Sequence, residues 1–379
     1  MNPATNLAGD PVLTRLIDRV RAAHGDGAPL EIRGGGTKSF YGGAPAGAPL
    51  DLRELRGICS YEPTEMVITA RAGTALAEIE SVLASNGQSL AFEPPRFGVE
   101  STLGGMVAAG LAGPARASVG GVRDFVLGLT MLNGRGELLQ FGGQVMKNVA
   151  GYDVSRLLVG SMGILGVICE VSLKVPPIAA ASVSLEFSCD QTEALQQLQQ
   201  WACAPLPISA SAWHGGVLRV RLAGAGAAVR AGAARLTGEH GGKALEQAAA
   251  HRYWDALRDQ KEAFFVASDA GTGAGKSSTL WRLSVPATHP PLELPGSDTL
   301  IEWGGAQRWL YSDAPPAQIR ELAARAGGHA SVFRSARRGS DAADFLAPLP
   351  AALERIHRAL KKSFDPAGIF NPGRLYPWL

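Results

Sequence analysis

A chain of 379 residues, 46% hydrophobic and with a net charge of only +2, is long enough to fold as two domains with buried cores. The near-balanced charge leaves no electrostatic footprint for nucleic acid, and no run of eighteen apolar residues marks a membrane span. Cys59, Cys169, Cys189 and Cys203 form no C-x-x-C pair, which argues against a cysteine-ligated zinc or iron–sulfur site within the chain. No secretory leader is read at the start, so the cysteines are expected as cytoplasmic thiols.

Asp10-Pro11 reads as an N-cap with proline at the first helical position, and Val12, Leu13, Leu16, Ile17 and Val20 mark one face of that helix. Leu30-Glu31-Ile32-Arg33 reads as a short strand that runs straight into Gly34-Gly35-Gly36-Thr37-Lys38. Three glycines let bare N–H groups turn inward as a concave anion site. Arg33, Thr37 and Lys38 set charge and a hydroxyl at its rim. The guest this favours is a phosphate or pyrophosphate; taken by itself such a stretch is more often a plain turn after a strand. The G-x-G-x-x-G spacing of a Rossmann turn is absent, and Ser39-Phe40-Tyr41-Gly42-Gly43-Ala44-Pro45 cannot open a long helix.

A strand over Val67–Ala72 follows. Thr74 is expected to cap a helix bearing Leu76, Ile79 and Leu83, which ends at Asn86-Gly87. Ser101-Thr102-Leu103-Gly104-Gly105-Met106-Val107-Ala108 is a second glycine-rich stretch, suited to close packing against a flat or phosphorylated ligand or against another helix. Val126–Leu132 and Glu137–Phe141 flank Asn133-Gly134-Arg135-Gly136, a hairpin signature. Gly160, Gly163 and Gly166 punctuate the approach to a strand over Val167–Val175. There Cys169, Val171, Leu173 and Val175 alternate inward, and Glu170, Ser172 and Lys174 outward. Pro176-Pro177 stops it.

The rhythm changes at Ala179. Strands over Val183–Phe187, Ile208–Trp213 and Val217–Leu222 alternate with helices over Thr192–Trp201 and Ala225–Leu236. Strands Leu280–Val285 and Val332-Phe333 and helices Pro316–Ala326 and Ala351–Phe364 complete the reading, the last helix with Leu353, Ile356, Leu360 and Phe364 on one face. Ala270-Gly271-Thr272-Gly273-Ala274-Gly275-Lys276-Ser277 mimics a phosphate loop. The residues after it read as a strand rather than the helix such a loop requires, so a surface loop is expected. The seven histidines form no H-x-H, H-x-x-H or H-x-x-x-H pair, and no metal site is expected.

Taken together, Arg33–Lys38, Ser101–Gly110, Gly142–Ile168 with Gln144-Val145-Met146-Lys147-Asn148-Val149-Ala150-Gly151-Tyr152-Asp153, and Phe364-Asp365-Pro366 with Phe370-Asn371-Pro372-Gly373-Arg374 resemble the vanillyl-alcohol-oxidase/PCMH-type FAD-binding flavoproteins. More narrowly, the chain is similar over essentially its whole length to the FAD-binding E subunits of bacterial glycolate oxidases. The resemblance implies an α+β protein. A PCMH-type FAD-binding domain of two subdomains would span residues 1–178, a mixed α+β cap 179–335, and a returning C-terminal segment 336–379. It implies FAD as cofactor. Arg33, Gly34, Gly35, Gly36, Thr37 and Lys38 would lie at its pyrophosphate. Ser101, Thr102, Gly104, Gly105 and Ala108 would line its second side, Val167 and Ile168 would meet it through their backbone, and Asn371 would return to the flavin pocket.

Relatives that bind FAD covalently use a histidine in the first turn or a cysteine near the second. Neither is present here, so non-covalent FAD is expected. The H-x-G-D-G-N metal stretch of the related 2-hydroxy-acid dehydrogenases is also absent. No catalytic residue is identified. The resemblance further implies partner subunits: a larger homologous catalytic flavin subunit and an iron–sulfur subunit, with any attachment to the membrane made through the complex. The residues from Arg334 to Arg374 carry eight Arg or Lys against four Asp or Glu, a solvated helix face or a docking face for such a partner.

Overall fold

A computed structural model describes residues 9–143, 153–266, 279–292, 294, 298–335 and 345–379. The chain divides into two compact units. The first holds residues 1–111, 121–177 and 348–379, and the second holds 112–120 and 178–347.

The first unit opens with α1 (Pro11–Asp26), where the Asp10 carboxylate accepts hydrogen bonds from the N–H groups of Val12 and Leu13. Capping of this kind satisfies donors that a helix start leaves free. Strands β1 (Leu30–Arg33) and β2 (Ala48–Asp51) pair in parallel. β3 (Ile58–Glu62) and β4 (Val67–Arg71) precede α2 (Leu76–Ser85) and α3 (Leu103–Ala109). The short α4 (Arg116–Val119) belongs to the second unit. Then come α5 (Val122–Phe125), β5 (Val126–Leu132), β6 (Leu138–Gly142), α6 (Val154–Leu157) and β7 (Val167–Lys174). The five-stranded antiparallel sheet runs β3-β4-β7-β5-β6. Leu13, Leu16 and Val20 of α1 join Leu30, Leu50, Leu132, Val167, Cys169 and Phe370 in one core cluster.

Two local expectations change. Thr74 is not the cap of α2: that position is Ala75, with no side-chain bond. The Thr74 hydroxyl instead bonds the Arg71 carbonyl at 2.7 Å and accepts from the Gly57 N–H at 2.9 Å. The outward row of β7 is not solvated either, since Glu170 and Ser172 are buried. Residues on both faces of β7 are buried, and the Ser172 hydroxyl pairs with Thr69 at 2.8 Å.

The second unit is built on eight antiparallel strands in the order β11-β8-β10-β9-β13-β14-β12-β15. In chain order these are β8 (Ala181–Ser188), α7 (Gln191–Ala202), β9 (Ile208–His214), β10 (Val217–Gly224), α8 (Gly226–His240), β11 (Lys243–Ala244), α9 (Gln247–Arg258), α10 (Ala263–Val266), β12 (Thr279–Ser284), β13 (Thr299–Glu302), β14 (Gln307–Ser312), α11 (Pro316–Arg325) and β15 (His329–Arg334). Leu185, Leu218, Val220 and Leu222 pack under Leu198, Trp201, Val229 and Leu236. A second cluster gathers Trp281, Leu283, Leu310, Ile319 and Val332. The strand expected near Leu280 is β12, while α9, β13 and β14 carry no signal that sequence reading took up. The phosphate-loop mimic lies outside the described residues.

The chain returns to the first unit with α12 (Ala351–Phe364). Its apolar row does not face inward: Leu353 and Ile356 are 45% and 53% exposed. The side chain it buries is Lys361. That ammonium bonds Asp365 at 2.8 Å and the carbonyls of Ile164 and Phe370 at 2.7 Å each. Asp365 in turn accepts from the N–H groups of Ile369 and Phe370. The segment then lies beside β1: Leu30 donates to the Ile369 carbonyl at 2.7 Å, and Asn371 donates to that of Leu30 at 3.0 Å.

Candidate cofactor site

Beyond β1 the triple-glycine turn is shaped by steric limits. A Cβ on Gly35 would sit 1.5 Å from the Glu100 carbonyl oxygen, and one on Gly34 would sit 2.3 Å from Thr102 Oγ1. The positive φ that L-residues avoid falls at Gly36, at 70°, and not at Gly35. So the first glycines let the turn lie flat against residues 100–102, and the third lets it reverse.

Lys38 ties the same two stretches together. Its ammonium donates to the Ser101 hydroxyl at 3.0 Å and to the Arg96 carbonyl at 3.3 Å. Thr102 caps α3, accepting from the Gly105 N–H at 3.3 Å. At the other end of α3 a Cβ on Gly110 would meet Gly160 Cα at 2.9 Å. That close approach lets Gly160 donate to the Val107 carbonyl at 3.0 Å and Met162 to that of Ala108 at 2.9 Å. All three glycine-rich stretches thus meet in one place.

Between them lies a cleft made of two adjoining cavities, one larger than the other. Both are lined by Gly34, Thr102, Gly105, Ala108, Met162 and Asn371. The larger adds Arg33, Gly35, Gly36, Thr37, Lys38, Ser101 and Arg374, with Glu31 as its carboxylate. The smaller adds Leu52, Ala72, Gly104 and Ile168 and is mostly apolar. Of the residues expected from sequence, Val167 stands apart: its side chain is buried in the core cluster and it lines neither cavity.

Asn371 is fully engaged. It holds a φ of 42°, accepts from the Ile32 N–H at 2.7 Å and donates to the Met162 carbonyl at 2.7 Å. Its amide therefore pins β1 to the turn at Met162. Arg374, which closes the C-terminal family motif but is not among the site residues expected from sequence, is 9% exposed. It donates to the carbonyls of Ser39 at 3.2 Å, Tyr41 at 2.7 Å and Gly43. Burial lowers its pKa, with Glu31 acting weakly in the opposite sense. Only its place after the Asn-Pro-Gly turn could have singled it out. No group of three or more His, Cys, Asp or Glu side chains is placed to hold a metal ion among the described residues.

A glycine-walled, cation-rimmed cavity that opens into a narrow apolar one suits a dinucleotide with an anionic bridge and a flat ring system. The arrangement fits FAD. The fold and the cleft are those of a FAD-binding flavoprotein, and the family model described as "FAD binding domain" matches residues 14–142. Across 95% of its length the chain is 47% identical to "Glycolate oxidase subunit GlcE" of Escherichia coli (strain K12), covering 96% of that protein. The chain belongs to this family of glycolate oxidase subunits. It is also 30% identical to "Glycolate oxidase subunit GlcD" of Bacillus subtilis (strain 168), over 39% of this chain and 32% of that one. Similarity to "D-lactate dehydrogenase" of Archaeoglobus fulgidus is 32% over 39% and 33%. The solved structure of alkyldihydroxyacetonephosphate synthase superposes with a TM-score of 0.63 at 15% identity, over 95% of this chain and 74% of that one, a likeness of fold alone. No helix among the described residues is long and apolar enough to cross a membrane.

Proposed function

We propose that this chain is the FAD-carrying redox subunit of a glycolate-oxidising complex, with FAD held non-covalently in the cleft of the first unit. It would pass electrons between a larger homologous flavin subunit, where glycolate becomes glyoxylate, and an iron–sulfur subunit. The observation that carries the placement is the convergence of Gly34–Lys38, Ser101–Ala108 and Asn371 on one cleft with a cationic and an apolar end.

Bound FAD supplies reversible two-electron and one-electron chemistry. The chain's own residues bind and orient it. Gly34, Gly35 and Gly36 bring backbone N–H groups to the bridge, and Arg33 adds charge there. Lys38 and Ser101 hold the opposing walls together. Ile168, Gly104 and Ala108 give the narrow end its flat apolar surface, and Asn371 fixes the distance between β1 and the Met162 turn. Among the described residues neither cavity is lined by a histidine or a cysteine, which supports non-covalent attachment. An autonomous 2-hydroxy-acid dehydrogenase would also need a proton acceptor and a carboxylate clamp at the flavin, and none is identified.

The test is anaerobic mixing of the purified, FAD-loaded chain with glycolate while the visible flavin band is watched. Little bleaching is expected from the chain alone, and bleaching when the homologous flavin subunit is added. Full bleaching within seconds by this chain alone would defeat the relay. Acid precipitation of the same sample is expected to leave FAD in the supernatant; colour retained by the pellet would refute non-covalent binding.

A further inference from the structure

Arg374 is an unusual cation. It lies within the cleft wall as a residue only 9% exposed, yet among the described residues no carboxylate comes within ion-pair distance. Glu31, on the same wall, acts on it only through space. A guanidinium has five N–H donors in a rigid fork. Three bonds go to the carbonyls of Ser39, Tyr41 and Gly43. Its own carbonyl accepts from the Gly43 N–H at 2.9 Å, which closes the clasp. The loop held in this way is the one that leaves the triple-glycine turn.

Carbonyl oxygens satisfy donors but do not neutralise charge. A charge taken out of water costs several kcal/mol unless a counter-charge faces it. The other cations of the wall are less buried: Lys38 is half-buried and Arg33 is exposed. Lys38 is bound to Ser101 and the Arg96 carbonyl, and the Arg33 guanidinium lies back across Gly36, 3.2 Å from where a Cβ there would stand.

We infer that Arg374 is a specificity-determining residue for the diphosphate bridge of the cofactor. It fixes the Ser39–Gly43 loop through three carbonyls and turns its remaining donors and its charge to the bridge. This rests on the placement of FAD in the cleft. Arginine suits the task because its fork can serve loop and phosphate together, whereas lysine offers a point charge.

The test uses full-length protein stripped of flavin. FAD affinity is followed by flavin fluorescence at several sodium chloride concentrations, and ADP is used as a competitor that carries the diphosphate without the flavin ring. Wild type is expected to bind both, more weakly as salt rises, because screening weakens a charge pair. Arg374→Gln is expected to weaken FAD and ADP together by at least tenfold and to flatten the salt dependence. Arg374→Lys, which keeps the charge and loses the fork, is expected to bind more weakly than wild type with the salt dependence retained. A Gln variant within twofold of wild type overturns the inference. So does a weakened Gln variant with the wild-type salt dependence, because loss of loop structure alone would produce that. If the Gln variant does not fold, a Lys variant that has lost its salt dependence overturns the inference equally. Wild type that takes up no FAD would instead sink the placement of the cofactor.

Discussion

Replacing Gly35 by alanine adds one methyl group where there is no room. The new Cβ would lie 1.5 Å from the Glu100 carbonyl oxygen and 2.4 Å from its carbon. Both are backbone atoms, so no rotamer change relieves the clash. One wall must retreat by about 1.5 Å to reach the 3.0 Å below which such contacts essentially never occur. Overpacking of this kind costs about 1–3 kcal/mol, and a rigid backbone neighbour points to the upper end. If the cofactor alone repays the closing of the turn on residues 100–102, that is about 30- to 150-fold in FAD affinity. Gly105→Ala is the matched control. Its Cβ meets only Thr102 Oγ1, at 3.1 Å, and alanine favours a helix by about 1 kcal/mol over glycine. That variant should keep or raise the unfolding temperature of the apo protein while losing FAD through a methyl group set on the cleft wall. The assay is fluorescence titration with FAD beside thermal unfolding of the apo form. A Gly35→Ala protein with wild-type affinity would refute the placement of the turn, and a Gly105→Ala protein with wild-type affinity would refute that of α3.

The buried ion pair of α12 gives a second expectation. Lys361→Met strands Asp365 in the interior and should cost about 3–5 kcal/mol, whereas Lys361→Met with Asp365→Leu should recover part of it; urea unfolding that shows a single-variant loss under about 1 kcal/mol would be the contrary result. Glu170 gives a pH dependence. Burial pushes its carboxyl above the usual range, against the hydrogen bond from Cys59 and the charge of Arg71. A folded-state pKa above the unfolded one means the native state holds the proton more tightly. The contribution of Glu170 to stability should therefore be greatest below about 4.5, fall as pH rises through the raised value and level off above it. Glu170→Gln should then melt above wild type at about pH 8 and converge with it in acid, and a constant offset across that range would refute the assignment.

What could be read from the sequence was local. The N-cap at Asp10, the helical face through Leu13, Leu16 and Val20, and the glycine turn after β1 are all set by neighbours a few positions apart. The site residues brought together by distant contacts were harder. Asn371 entered only through family resemblance, although its amide meets Ile32 at a separation of 339 residues. Arg374 has no site role in the sequence beyond its place in the C-terminal motif and a basic stretch, because its carbonyl partners lie 331 to 335 positions upstream. Glu170 misled for a different reason. Alternation along a strand reports two faces, but it cannot tell whether both are covered until what packs on each side of the sheet is known. In α12 the apolar spacing of Leu353 and Ile356 was visible. That Lys361 would be the residue turned inward depends on the carbonyls of Ile164 and Phe370, which no helical period reveals.

The pairing of Leu30 with Ile369 and Asn371 also orders events during synthesis. Chains emerge at about 5–20 residues per second, so β1 waits roughly 17 to 70 seconds for the segment that borders it. Through that interval the Ile32 N–H has no Asn371 side chain to bond, and the Ser39–Gly43 carbonyls have no guanidinium. Joining ends so far apart also carries a loop-closure cost that local contacts do not bear. The nascent chain can therefore bury much of its sheet core early while its cleft stays unfinished. Cofactor capture therefore waits until residues 369–374 have been made and can reach β1.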